Sequence, residues 1–334
     1  MSLVVEMRVA VEAVLVASRL CQSVFKTLVL GESLAKDDKS PVTVADFGAQ
    51  AVVNALLLKH FPDDPIVGEE DSKDLKSNTA LSGRVLGLVN GVMESKMTTE
   101  QMFNNIDRGN YVGGRTGRFW TLDPIDGTKG FLRGDQYAVC LALIVDGTVE
   151  LGVLGCPNLP HDLSKPDGEC GSILVATRGD GAFQRSLTSD IMTRISTTRV
   201  ENPAETRLCE GIEPLHSSHA TNGQIMAHLL QNSNNHSPTN IRMDSQCKYA
   251  LVARGDAGIY LRVPVSSTYQ EKIWDHAAGK LIVEEAGGRV TDILGRELDF
   301  GSGRTLKENE GILATGGTVL YDKVYAAVKS VVKS

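Results

Sequence analysis

Between residues 122 and 128 the chain reads Leu-Asp-Pro-Ile-Asp-Gly-Thr, and this heptapeptide restricts the fold more than any other stretch. Pro124 has a locked φ and no N–H, and it biases Asp123 before it toward extended backbone. Asp123 and Asp126 can therefore point to one side of a strand end. Gly127 permits a close backbone approach. If Gly127 and Thr128 open a helix, their amides would face an anionic oxygen at its partly positive N-terminus. Oxygen-only ligation selects a hard cation, Mg²⁺ before others. Taken alone, the same seven residues also suit a Pro-Gly turn whose aspartates satisfy only local amides.

Two further acidic segments weigh on that choice. Val67-Gly68-Glu69-Glu70-Asp71 ends a short apolar run with three consecutive acids, a costly clustering of like charge unless a cation or solvent compensates it. Ile273-Trp274-Asp275-His276-Ala277-Ala278-Gly279 puts Asp275 at the start of an apolar helix. By themselves the acid run reads as a solvated loop and Asp275 as a helix cap. With the central turn they supply a third and a fourth carboxylate.

At 334 residues the chain is long for a single core, and two domains or one large layered unit are expected. Its 42% apolar and 22% charged residues are ordinary for a globular enzyme. A formal charge of −7 argues against binding a nucleic acid polymer, which requires a basic surface, so an anionic ligand needs a local positive site. The longest apolar run, Ala138 to Val145, is far short of a membrane span, and the charged N-terminal residues suit an amphipathic helix rather than a leader. A cytoplasmic location is expected. The six cysteines show neither metal-binding nor framework spacing, so reduced thiols are the default.

Periodicity predicts helices over about Val4 to Leu30 and Ala45 to Phe61, then a strand Ile66 to Gly68 and a helical region Leu81 to Phe103. Strands follow at Trp120 to Leu122, Ala138 to Val145 and Val149 to Leu154, the last two joined by an Asp146-Gly147 hairpin turn. The Pro/Gly-rich stretch after Cys156 predicts a division into 1–157, carrying the metal ligands, and 158–334, an α/β part that binds substrate. Within the second part, strands are expected at Ile173 to Thr177, Ala182-Phe183, Ile241 to Met243, Gly258 to Arg262 and Gly288 to Thr291. The Asn-rich 231–240 stretch reads as a surface loop.

The three acidic motifs, in that order, resemble those of the lithium-sensitive, magnesium-dependent phosphomonoesterases that include inositol monophosphatase and fructose-1,6-bisphosphatase. Four more stretches narrow the likeness to the 3'(2'),5'-bisphosphate nucleotidase branch. They are Lys39-Ser40-Pro41-Val42-Thr43-Val44-Ala45-Asp46, Gly113 to Trp120, Lys129 to Gly134 and Asp244-Ser245-Gln246-Cys247-Lys248-Tyr249. The resemblance runs from the N-terminal helix to about residue 320.

It implies an α-β-α-β-α layered sandwich, a mixture of α+β and α/β, with the site where the two parts meet. It also implies that Glu69, Asp123, Asp126 and Asp275, with the Ile125 carbonyl, hold two or three Mg²⁺ ions. Thr128, paired to Asp46, would orient or deprotonate the attacking water. Gly127, Thr128, Ser245, Lys248, Arg262 and Asp275 would contact substrate, with His216 beside the adenosine. The implied reaction is removal of the 3'-phosphate of adenosine 3',5'-bisphosphate. A monomer is expected. An inositol polyphosphate 1-phosphatase and a non-catalytic nucleotide sensor are the alternatives. Lys129, Arg133, Arg115 and Arg118 lie close enough in sequence to attract a second phosphate, or they pair with nearby acids. Trp274 and Tyr249 are expected to pack rather than to stack on a base.

Overall fold

The computed structural model describes residues 3–29, 40–165, 167–214, 217–231, 240–266 and 268–332. Its first two helices are α1 (Val4–Val29) and α2 (Ser40–His60). Small buried residues such as Ala10, Ala13 and Ala17 let them pack closely. Helix α2 begins five residues before the expected Ala45, because a proline in the first turn lacks an N–H that would have no intrahelical acceptor there.

Strand β1 (Ile66–Gly68) follows, then α3 (Lys73–Ser77), α4 (Thr79–Val92) and α5 (Thr99–Asp107). The helical region expected over 81–103 is thus broken at residues 93–98. Thr98 and Gln101 start α5 afresh with a reciprocal capping box. After β2 (Arg118–Asp126) and the short α6 (Thr128–Arg133) come β3 (Ala138–Val145), β4 (Thr148–Pro160), β5 (Cys170–Thr177), β6 (Gly181–Ser186) and β7 (Thr193–Ile195). These seven strands form one sheet in sequence order, antiparallel except for β1 beside β2. In β3, Val139, Leu141 and Leu143 enter one core while Ala138, Cys140, Ala142 and Ile144 enter another. The strand is apolar on both faces because both faces are covered. Asp146 (φ 50°) and Gly147 (φ 77°) make the expected tight turn.

The division expected after residue 157 falls inside β4, which continues to Pro160 and pairs with β5. A register shift between Cys156 and Pro160 absorbs Pro157, which cannot donate to a regular ladder. The chain changes sheet only after Ile195.

The second sheet contains β8 (Leu208–Glu210), β9 (Ile241–Arg242), β10 (Ile259–Arg262), β11 (Arg289–Thr291) and β12 (Ile312–Thr315), in the order β11-β12-β10-β8-β9. Its helices are α7 (His219–Leu230), α8 (Cys247–Arg254), α9 (Ala277–Glu285) and α10 (Thr318–Val332). Helices α8 and α9 are apolar and buried nearly all round, as helices between two sheets must be. They share a core with the inner faces of both sheets. Helices α1 and α2 close the outside of the first sheet, and α7 and α10 that of the second. The result is the expected α-β-α-β-α sandwich, with three cores between five layers. Most of the 231–240 stretch lies outside the described residues. Among them, no helix is long and apolar enough to cross a membrane.

Candidate active site

The site begins with an irregularity in β2. Asp123 pairs with Cys140 and Asp126 with Ala138, so three steps along β2 are matched by two along β3. In a regular strand, residues three apart face opposite sides. The extra residue at Pro124-Ile125 forms a bulge that returns Asp126 to the side of Asp123, facing the middle helical layer. Ile125 points its side chain into the outer core instead.

The remaining acids arrive from neighbouring elements. Glu69 follows β1, and its amide donates to the Leu122 carbonyl at 3.2 Å. Gln50 of α2 holds the next residue from below, donating from Nε2 to the Glu70 carbonyl (2.6 Å) and accepting from the Glu70 amide (3.1 Å). Asp46, one turn earlier on α2, is buried under the same segment. Asp275 ends a 3₁₀ turn (Ile273–Asp275), and His276 takes the N-cap position of α9. Asp275 is therefore not spent on capping the helix.

Carboxylate oxygens of Asp123, Asp126 and Asp275 lie within 4.8 Å of one another. Burial, reinforced by the neighbouring carboxylates, pushes the Asp123 and Asp275 carboxyls well above their ordinary range. Burial also raises Glu69 and Asp46. Asp126 is raised by burial too, against the pull of Lys248 and the Gln246 amide, which donates to its Oδ2. Oδ1 of Asp46 and Oδ1 of Asp123 are buried with no hydrogen-bond partner. Orphaned acceptors among crowded carboxylates call for a positive charge. An all-oxygen donor set fits a hard divalent cation.

The opposite wall is cationic and comes from the second sheet and the middle helices. Ser245 holds φ 64° before α8, and Gly127 holds φ 88° against it. A Cβ on Gly127 would lie 2.9 Å from the Ser245 Cβ, so two features of the site require that glycine. Lys248 donates from Nζ to the Ser245 carbonyl (2.5 Å) and lies 5.5 Å from the centre of the Tyr260 ring. Burial pulls its pKa below the usual range, opposed by Asp126. Arg262 donates from Nε to Glu271 Oε1 at 2.7 Å, and His276 Nε2 lies 3.2 Å from Oε2 of the same carboxylate. Burial alone would raise Glu271, but the charge of Arg262 and the His276 contact bring it down to about 2. Tyr249 Oη completes this chain at 2.9 Å from His276 Nδ1.

Between the walls lies a cavity of about 300 Å³. Glu69, Asp123, Ile125, Asp126, Gly127, Thr128, Ser245, Lys248, Arg262 and Asp275 all line it. His216 lies outside the described residues. The expected Thr128–Asp46 pair is not formed: Thr128 Oγ1 donates to the Ile125 carbonyl at 3.4 Å, because the turn into α6 brings that oxygen nearest. Lys129 and Arg133 are paired to Glu213 near the mouth, while Arg115 pairs with Asp299 and Arg118 with Glu6 and Asp64. These are the acid pairs that the sequence left open. Tyr249 is buried in the middle layer, and Trp274 packs under Arg304. All six cysteines are free thiols.

Four contributors escaped the sequence reading. Gln50 and Gln246 are buried amides that clamp the ligand-bearing backbones, Gln246 through Trp274 O (2.7 Å) and the Gly279 amide (2.8 Å). Glu271 orients Arg262, and Arg304 joins the two halves of the acid wall. Isolated Gln, Glu or Arg residues carry no local signal for such roles. Only Gln246 lay in a motif singled out from the sequence.

Comparisons with known proteins bear on the family and the fold. The model of the inositol monophosphatase family matches residues 4–333. The 3'(2'),5'-bisphosphate nucleotidase of Schizosaccharomyces pombe is 47% identical, covering 99% of this chain and 97% of its own. That of Emericella nidulans is 45% identical, covering 98% of each. Among solved structures, inositol monophosphatase from Anabaena superposes with a TM-score of 0.63 at 21% identity, covering 98% of this chain and 96% of its own. The latter likeness bears on the fold alone.

Proposed function

We propose, because this chain belongs to the inositol monophosphatase family, that it hydrolyses the 3'-phosphate of adenosine 3',5'-bisphosphate to AMP and phosphate. The reading extends to the 5'-phosphosulfate form of the same nucleotide, which carries the same 3'-phosphate. The observation that carries the reading is the pairing of walls across one cavity, with Glu69, Asp123, Asp126 and Asp275 on one side, Asp123 keeping a partnerless oxygen, and Lys248 and Arg262 on the other. Full-length similarity to the two fungal nucleotidases favours a nucleotide over an inositol phosphate. In this reading the enzyme is a cytoplasmic monomer. The cation-holding part follows the first sheet, and the substrate-holding part follows the second.

Glu69, Asp123, Asp126, Asp275 and the Ile125 carbonyl would hold two or three Mg²⁺ ions. Bound there, Mg²⁺ would polarise the phosphoryl group, lower the pKa of a water and hold the leaving oxygen. Phosphate monoesters are among the slowest bonds to hydrolyse, with enzymatic accelerations up to about 10²¹, so the chain must also contribute positioning and charge. Lys248 and Arg262 neutralise phosphate oxygens, and Glu271 holds the Arg262 fork in place. Thr128 orients the attacking water after its hydroxyl rotates from the Ile125 carbonyl toward Asp46. A threonine hydroxyl is too weak a base alone, so Asp46 is assigned to take the proton. Ser245 and the Gly127 backbone border the phosphate, while His216 is assigned to the adenosine.

The test is phosphate release with Mg²⁺ from adenosine 3',5'-bisphosphate and inositol 1,4-bisphosphate at matched concentrations, with and without Li⁺. Preference for the nucleotide, inhibited by Li⁺, is the expected result. Preference for the inositol substrate would move the assignment to an inositol polyphosphate 1-phosphatase. Mg²⁺-dependent binding of the nucleotide without release would indicate a sensor.

A further inference from the structure

Glu69 and Asp275 reach the cavity from opposite ends of the chain, one after β1 and the other before α9. Arg304 lies between the backbones that carry them. Its Nη1 donates to the carbonyls of Gly109 (3.1 Å) and Tyr111 (2.9 Å), and its Nη2 to the carbonyl of Gly68, the residue before Glu69. The Gly109 carbonyl also accepts from the Gly68 amide at 2.8 Å, so the guanidinium caps the same short ladder that holds β1. On its other side, Arg304 Cζ lies 4.8 Å from the centre of the Trp274 ring, the residue before Asp275.

The backbone of Arg304 is tied to that turn as well. Its carbonyl accepts from the Ile273 amide at 3.2 Å, and the next residue, Thr305, bridges to Lys272. Arg304 does not line the cavity. It acts on the site through these two backbones and through its charge, which pulls the Glu69 carboxyl down; a lysine keeps that charge and loses only the fork. A planar fork that binds several carbonyls while lying on an indole face is a task for arginine; a lysine ammonium is a point charge without the fork.

We propose that Arg304 is a positioning residue that sets Glu69 and Asp275 in register across the cavity, by holding the Gly68 carbonyl and the Trp274 ring at once. The inference rests on reading those carboxylates as cation ligands. Its test uses Arg304→Lys and Arg304→Met in the full chain, with Mg²⁺ titrated calorimetrically without substrate and thermal melting followed in a chelator. Partners that orient metal ligands typically change affinity by about 10–100-fold, so both variants are expected to bind Mg²⁺ at least about tenfold more weakly. Lysine should not rescue. The KM for nucleotide at saturating Mg²⁺ is expected to stay within about twofold, and the metal-free melting midpoint within a few degrees. Unchanged Mg²⁺ affinity in Arg304→Lys would overturn the proposal. So would a metal-free midpoint that falls in proportion to affinity in both variants, which marks a general structural role. A wild-type protein that binds Mg²⁺ but releases no phosphate from the nucleotide would instead overturn the substrate assignment and leave Arg304 in place.

Discussion

Asp275 admits two readings from its local sequence, as a helix cap or as a member of a site, and Asp46 enters the site only through the resemblance. The structure separates the readings through what the side chains touch. Asp46 Oδ1 finds no donor, and His276 takes the cap position that Asp275 would have filled. A buried carboxylate oxygen with neither donor nor cation is expensive, and the fold retains two, on Asp46 and Asp123. Asp126 is the most connected of the set, since it accepts from the Gln246 amide and faces Lys248. Asp126→Ala is expected to lower kcat by at least about 10²-fold, the scale of losing one group that stabilises the transition state, while the metal-free melting midpoint holds or rises. Near-normal turnover in that variant would remove Asp126 from the cation site. Neither the orphaned oxygens nor the helpers Gln50, Gln246 and Glu271 could be read locally, because a side chain's partner is a property of the packed molecule.

Elements of a few residues decide how those side chains are aimed. The β2 bulge turns a strand period of two into two carboxylates on one face, and its cause was legible in the sequence as Pro124. The turn after it depends on Gly127, whose φ of 88° and contact with Ser245 leave no room for a Cβ. Gly127→Ala is expected to destabilise the protein by roughly 1–2 kcal/mol from the left-handed backbone alone, with a further cost from displacing Ser245. Urea denaturation measures it, and an unchanged midpoint would mean that the turn relaxes without strain. Long elements matched their apolar patterns, α1 as a helical period and β3 as a continuous apolar run. The short strands β8 and β12, of three and four residues, did not stand out, since their burial comes from neighbours rather than from a pattern. The break between α4 and α5 also passed unnoticed, although the Thr98…Gln101 capping box that marks it was present in the sequence.

At the scale of the molecule, the layers force like charges together from α2, the first sheet and the turn before α9, and this makes stability depend on pH. Asp46, Glu69, Asp123 and Asp275 all have carboxyls raised above their unfolded values, mainly by burial, and Glu70 is raised to about 7. Between the unfolded and the raised folded pKa the native state holds more protons, so this contribution to stability falls as pH rises through that window. A divalent cation offsets the repulsion, by about 2.7 kcal/mol at a hundredfold excess over its Kd. The gain in melting midpoint from Mg²⁺ over chelator is therefore expected to grow from pH 5 to pH 8. A gain independent of pH would show that these carboxylates do not titrate against the cation. The sequence by itself determined the acidic motifs, their order, the proline and glycine that shape the central turn, and the apolar patterns of the long elements, while the layered sandwich was implied by the resemblance that those motifs carry. These are local properties, carried by residues close together in the chain. Only the tertiary structure decided that the first sheet runs on to Ile195, that Thr128 faces the Ile125 carbonyl rather than Asp46, and that Arg304 clasps both sides of the site. Those outcomes depend on which distant backbones pack together, and packing is settled by all the layers at once.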